Sequence, residues 1–482
     1  MTVHAWATAE EIARAVFSGT ASAASVTEAA LARIAAEDPR LNAFTDVTAD
    51  RARAEAAGID AAIRDGRTPG PLAGVPFAVK NLFDVAGLPT RAGSRIGRER
   101  ARAARDALLV ERMRAAGAVL VGTLNMGEYA YDFTGENVHD GSCRNPHDPA
   151  RMTGGSSSGC GAATAAGLAP ISLGSDTNGS LRVPAALCGV FSLKPTYGRL
   201  PRTGAFPFVD SLDHLGPFAR DAADLARAYD TLQGFDARDH ACADRPALPV
   251  RDLLERGLLE RGLGQLRVGL PTGWLADQAG PAMALAETAA SALAGDRVER
   301  IDLDGAEAGR AAAYLITNAE SAAFHLGRLR TRAVDFDPDT RDRFLAGALL
   351  PAAWIARAQR VRAWWLERAL AAFERADVLI VPATPVSASL RGETRLELNG
   401  RALALRPTLG LLSQPFSCIG LPVVTVPVFE EATLPMGLQI VAPPWREDLA
   451  LRVAHALAQE GIAHAHPPRG ISPDPVATHA AE

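Results

Sequence analysis

The chain has 482 residues, of which 48% are hydrophobic and 22% charged, with a formal net charge of −5. That size suits one large α/β domain or roughly two to three ordinary ones, and the balance of apolar and charged residues argues against disorder over most of it. The negative charge offers no basic surface for nucleic acid, and five cysteines without C-x-x-C spacing argue against a disulfide framework or zinc site and fit a reducing cytoplasm.

Residues 1–11 lack a basic stretch followed by an apolar core, so no secretory signal is read there. The first 65 residues read as helices: Thr8-Ala-Glu-Glu11 and Ser25-Val-Thr-Glu28 both match a capping box ahead of apolar residues at helical spacing. Gly74-Val-Pro-Phe-Ala-Val-Lys80 is a short apolar run ending in lysine and reads as a buried strand. A helix is expected at 106–116 and a strand at 118–122. Residues 135–160, rich in Gly, Ser, Asn, His and Pro, form a long loop, a feature that in compact folds is usually functional or disordered.

Beyond it come a small-residue helix at 161–167, a strand at 171–174 and a second Gly/Ser loop at 175–180. The stretch 161–173 is too short for a membrane span of about 20 residues, and Pro170 interrupts it. Residues 235–265, with an LLERG tandem, read as a surface excursion. Further strands are expected at 266–270, 378–381, 423–428 and 437–441, with a long Arg-rich helix at 354–375 and a flexible tail from 469. Strands alternating with helices point to an α/β fold with helices on both faces of the sheet.

The chemistry concentrates in Thr153-Gly-Gly-Ser-Ser-Ser-Gly-Cys-Gly161 and Gly174-Ser-Asp-Thr-Asn-Gly-Ser-Leu-Arg-Val-Pro184. One helix and one strand separate the two loops, a geometry that can set Ser156 beside Ser180. Gly155-Ser-Ser-Ser-Gly159 formally matches the G-x-S-x-G elbow, but Arg151-Met-Thr-Gly is not the preceding strand that motif requires. A phosphate-binding loop lacks its lysine, and no H-E-x-x-H or other histidine spacing suits zinc.

Lys80 after its G-V-P-F-x-V-K strand, the G-G-S-S run and the D-T-x-G-S-x-R-x-P-A segment together resemble the amidase signature family, with similarity from Leu72 through Pro382-Ala-Thr-Pro385 and Gly437-Leu-Gln-Ile440. The resemblance implies a single large domain over 1–468, its catalytic core at 65–230, built on a mixed twisted β-sheet covered by helices on both faces. It also implies a Ser–cis-Ser–Lys triad that hydrolyses a non-peptide C–N bond through an acyl-enzyme, without cofactor or metal. Ser180 would be the nucleophile, Ser156 (joined to Gly155 by a cis peptide bond) the bridge and Lys80 the base. The backbone N–H groups of Thr177, Asn178, Gly179 and Ser180 would form the oxyanion hole. A serine hydroxyl needs a base to attack, and lysine is a base only when burial brings its pKa well below about 10.4. The pattern departs from the family at Ser158 and Cys160, where glycine and serine are usual, and at Asn178, which replaces a frequent glycine.

Asp176-Thr-Asn-Gly-Ser180, Gly204-Ala-Phe-Pro-Phe-Val-Asp-Ser-Leu-Asp-His-Leu-Gly216, His325-Leu-Gly-Arg-Leu-Arg330, Leu124-Asn-Met126 and Asp342-Arg-Phe344 are similar to the 1-carboxybiuret hydrolase branch of that family. This implies a small ureide or carboxylated amide as substrate, a homodimer or heteromer, and a small helical partner subunit. A small anion calls for arginine, and Arg328 and Arg330, in an otherwise apolar helical stretch, are the candidates, with Tyr131 and His325 beside them. The glutaminase subunit of a tRNA-dependent amidotransferase and a broad-specificity aliphatic amidase are the alternative readings.

Overall fold

The computed structural model describes residues 4–254, 266–430 and 434–470. One mixed sheet of eleven strands runs through the molecule: β1 (Phe44–Val47), β2 (Pro76–Lys80), β3 (Val119–Leu124), β4 (Ile171–Asp176), β5 (Phe191–Lys194), β6 (His214–Ala219), β7 (Val268–Thr272), β8 (Val298–Asp302), β9 (Val378–Pro382), and, after a separate two-stranded hairpin of β10 (Arg395–Leu398) and β11 (Arg401–Ala404), β12 (Val423–Val428) and β13 (Met436–Val441). Their order across the sheet is β1-β3-β2-β4-β6-β5-β12-β13-β9-β7-β8. Within it β2 lies parallel to both β3 and β4, whereas β6 runs antiparallel to its neighbours β4 and β5.

Every residue of β2 through β6 is buried. Successive side chains of a strand point to opposite faces, so both faces of this region are covered. The helix Ser158–Ala165 packs on β4 and β2, and the helix Arg182–Cys188 packs on β12, β13 and β5. These two helices begin directly after the two Gly/Ser loops, and that succession carries both loops to the same end of the central strands.

Thr8 caps the first helix with the reciprocal Glu11 bond, as its spacing predicts. The second helix starts earlier than expected: Ser22 is its cap and Ser25 the third helical residue, because Ser22 accepts the Ser25 N–H while Ser25 Oγ accepts the Ser22 N–H. Strands β1, β5, β6 and β8, the hairpin and the helix Arg182–Cys188 were not expected. Pro217 conceals β6 and Pro184 the helix, since proline normally demotes a strand or helix reading. Most of the LLERG tandem and the tail from 471 lie outside the described residues. Among the described residues, no helix is long and apolar enough to cross a membrane.

Candidate active site

Lys80 ends β2 with no exposed surface. Parallel pairing sets Val79 opposite Leu173 and thereby brings Ser175 alongside Lys80. The ammonium donates to three serine hydroxyls: Ser156 Oγ at 2.7 Å, Ser175 Oγ at 2.9 Å and Ser157 Oγ at 3.0 Å. Burial pulls the lysine down to about 7, against the opposing pull of Cys160, Asp176, Asp213 and Asp132. A base near neutrality is the result. Ser157 is itself fixed by donating to the Ser175 carbonyl, and the Gly155–Ser156 peptide bond is cis. The side chain at Ser158 is accommodated by a bond to the Asn125 carbonyl, and Cys160 packs with its Sγ on the Leu173 carbonyl.

The second loop is bound from within by Asp176. Its carboxylate accepts the Gly179 N–H (2.7 Å) and the Leu181 N–H (3.1 Å) and takes two bonds from the Arg182 guanidinium. Burial works to raise Asp176, but the charge and bonds of Arg182 prevail and hold it below the usual carboxylate range. Asn178 Nδ2 donates to Thr317 Oγ1, and Ser413 Oγ donates to the Asn178 carbonyl. Of the four N–H groups read as oxyanion donors, that of Gly179 is therefore engaged by Asp176, while Thr177, Asn178 and Ser180 lie on a cavity wall.

Gly179 has φ +142°, and a Cβ there would be driven into Ser413 Oγ. Gly179→Ala is expected to displace the loop and lower kcat by about 100-fold, the scale of a misplaced reacting group, with little change in KM. Steady-state kinetics check this.

The cavity, about 160 Å³, is walled by Tyr131, Phe133, Phe208 and Tyr314 and carries three arginines that were not among the candidates: Arg310, Arg343 and Arg406. The Arg343 guanidinium lies 3.9 Å over the Tyr131 ring, and its Nη2 has no hydrogen-bond partner among the described residues. Arg310 is likewise buried at Nε without a partner there. Among the described residues neither has a carboxylate within ion-pair distance, and burial lowers the pKa of both. Arg406 differs, lying 3.5–3.8 Å from Asp132, Glu136 and Asp339. Helical spacing on Ala306–Arg332 puts Arg310 on one face with Tyr314 and Thr317, a signal readable beforehand.

The other candidates fall differently. Tyr131 lines the cavity and donates to Asn318 Oδ1. His325 lies inside an aromatic cluster, 4.6 Å from the Phe344 ring, and burial with the charge of Arg328 brings it down to about 3. Arg328 packs over Phe206 and Phe324, and Arg330 is exposed. Neither of these two arginines lines the cavity: Arg328 shares the Arg310 face but lies about five turns, roughly 27 Å, farther along the helix, and Arg330 is turned to the opposite side.

The sequence model of the amidase family matches residues 25–451. The chain belongs to the amidase signature family. This amidase is 50% identical to AtzE, a 1-carboxybiuret hydrolase subunit of Pseudomonas sp. (strain ADP), with 94% of this chain and 98% of that one covered. It is 39% identical to a glutamyl-tRNA(Gln) amidotransferase subunit of Anaeromyxobacter dehalogenans (strain 2CP-C), covering 91% and 93%. A solved structure from a vestigial protein complex bearing on the origins of an s-triazine catabolic enzyme superposes with a TM-score of 0.92 at 49% identity, over 95% of this chain and 100% of that one. A 6-aminohexanoate cyclic dimer hydrolase in complex with its substrate gives 0.84 at 29% identity, over 98% and 100%. The amidase therefore hydrolyses non-peptide C–N bonds on an α/β fold that these solved structures share over 95% and 98% of the chain.

Proposed function

We propose that this amidase releases ammonia from a small, carboxylate-bearing ureide of the 1-carboxybiuret type, using Ser180 as nucleophile, Ser156 as proton bridge and Lys80 as base. The observation that carries the reading is a fully buried lysine bonded to Ser156, next to a cavity that holds both Ser180 and two arginines without carboxylate partners among the described residues. Ser180 Oγ attacks the carbonyl carbon as its proton passes to Ser156, whose own proton passes to Lys80 Nζ. The developing oxyanion is met by N–H groups of the 177–180 loop. Collapse expels the nitrogen, which takes the proton back along the same path, and water then cleaves the Ser180 ester.

Arg343 and Arg310 supply the charge that a carboxylate end requires, and the small volume limits the acyl part to a few heavy atoms. The 50% identity to a 1-carboxybiuret hydrolase subunit supports the same substrate class. Arg343→Gln is expected to lower kcat/KM for a carboxylated amide by roughly 30-fold or more, mainly through KM, and to spare a neutral amide of similar size.

The relatives named as subunits, and the complex that contains the structural neighbour, support assembly with a partner subunit; we take that partner to be small and helical and the amidase to work in the cytoplasm. The similarity to amidotransferase subunits favours glutamine as the alternative substrate. Ammonia release from 1-carboxybiuret, biuret, allophanate, malonamate, glutamine and simple aliphatic amides, with Ser180→Ala alongside, tests the proposal. Turnover of 1-carboxybiuret that vanishes in the variant supports it. Turnover of glutamine alone would overturn the substrate assignment.

A further inference from the structure

The loop that carries Ser180 is anchored at a second carboxylate besides Asp176. Thr177 Oγ1 donates to Asp213 Oδ1 at 2.6 Å. The other oxygen of that carboxylate accepts the N–H groups of Phe208 (2.7 Å) and Val209 (2.9 Å), and the Asp213 N–H closes the turn on the Val209 carbonyl at 2.9 Å. Asp213 thus sits at the centre of its own tight turn with no cation bonded to it among the described residues. Ser211 of the same turn is tied to Glu320 on the helix Ala306–Arg332, the helix whose Thr317 receives Asn178. The loop is therefore gripped on one side through Thr177 and on the other through Asn178, with both grips resting on one helix.

Asp213 also faces a second cavity of about 160 Å³, separate from the one that holds Ser180. Phe208 and Ala130 line both and form the wall between them. Ser175, whose hydroxyl accepts from Lys80, lines this second cavity too. One carboxylate thereby touches the first residue of the Ser180 loop, the wall of the substrate cavity and the surroundings of the lysine.

Resting on the reading of Lys80, Ser156 and Ser180 given above, we propose that Asp213 is a positioning residue of the amide-hydrolysing site: it orients Thr177, and with it the N–H groups leading to Ser180, while its charge acts on Lys80. A bond from a hydroxyl to an ionised carboxylate is short and strong, which suits a clamp that must hold a loop to within a fraction of an ångström. Burial brings Asp213 up to about 6, so it is largely ionised where Lys80 becomes neutral. The groups facing it are Lys80 from β2, Tyr197 and Arg202 from the segment after β5, and Asp210 on its own turn. Arg238, Asp239 and His240 complete the cavity wall, and Asp239 and Asp210 occupy Arg202. The negative charge of Asp213 favours protonated Lys80. Removing it lowers the pKa of the lysine and moves the acid side of the activity profile to lower pH.

The test is kcat, KM and the pH profile of ammonia release for Asp213→Asn, Thr177→Val and Thr177→Ser beside wild type. The first two are expected to lower kcat by about 10- to 100-fold with KM within about threefold, and Thr177→Ser, which keeps the hydroxyl, to recover most of that loss. Only Asp213→Asn is expected to shift the acid limb. Wild-type kcat in Asp213→Asn, or a Thr177→Ser enzyme as impaired as Thr177→Val, overturns the proposal. Should Asp213→Asn fail to fold, the two Thr177 variants still decide. Ser180→Ala keeps the two readings apart: activity that survives it overturns the triad itself, whereas a dead Ser180→Ala beside an unimpaired Asp213→Asn overturns only the role of Asp213.

Discussion

Lys80→Met is expected to lower kcat for amide hydrolysis by about 10²- to 10⁴-fold, the range of a lost general base. The variant keeps an unbranched side chain one atom shorter but leaves Ser156 with no group to take its proton. Binding rests on Arg343 and Arg310, so KM is expected to change little. In wild type, kcat/KM is expected to rise with pH through about 7, where the buried lysine loses its proton, and that limb should disappear in the variant. Stability rises with pH as well. A lysine whose folded pKa is lowered to about 7 from 10.5 destabilises the fold fully below the folded value, and the penalty fades as pH rises toward the unfolded value. Lys80→Met is therefore expected to unfold no more easily than wild type at pH 7 and to lose any advantage by about pH 10. A variant that keeps wild-type kcat would remove lysine from the mechanism.

Arg182→Met is expected to cost roughly 3–5 kcal/mol of stability, because it leaves Asp176 charged, buried and unpaired. Both side chains have 0% exposure. Arg182 Nη1 also donates to the Ser413 carbonyl at 2.8 Å and Gln439 Oε1 at 2.7 Å, and Nη2 to Ser417 Oγ, so the pair joins β4 to β13 and the 413–417 segment. The same substitution unfastens the carboxylate that holds Gly179 and Leu181. Activity is thus expected to fall with stability. Adding Asp176→Asn removes the orphaned charge and is expected to recover part of the unfolding free energy but not the activity, since asparagine offers one acceptor oxygen where the Gly179 and Leu181 N–H groups use two. Urea unfolding of the two single variants and the double variant reads this. A single Arg182→Met within about 1 kcal/mol of wild type would contradict it.

The strands at 76–80, 119–124, 378–382 and 423–428 were legible because burial on both faces makes them mostly apolar. By contrast, 171–176 and 436–441 show only alternate apolar residues, and the equally buried β5 and β6 are short or broken by Pro217. β1 is four residues with only Phe44 buried, and β8 is mostly partly exposed, so neither has an apolar run. Lys80 and Ser156 were readable for a different reason. A strand end and a glycine-rich loop are local features, and neighbouring parallel strands bring such ends together. The arginines of the cavity are not local. They arrive on three helices, Ala306–Arg332, Pro338–Ala348 and Leu405–Leu409, whose docking no short segment encodes. Arg328 and Arg330 were chosen for lying in an apolar stretch, but Arg328 finds its partners on aromatic rings and Arg330 in solvent. Asp213 was hidden in the same way: its partners Thr177 and Phe208 come from a strand end and from its own turn, and only the folded chain puts them on one carboxylate.

The measurement that bears most directly on the serine mechanism is peptide mapping of the trapped enzyme after reaction with a serine-directed fluorophosphonate, run beside amide turnover. One adduct is expected, on Ser180, formed in step with loss of ammonia release, and no adduct in Ser180→Ala. An adduct on Ser156 or Ser157, or full labelling of Ser180 with turnover intact, would contradict that mechanism.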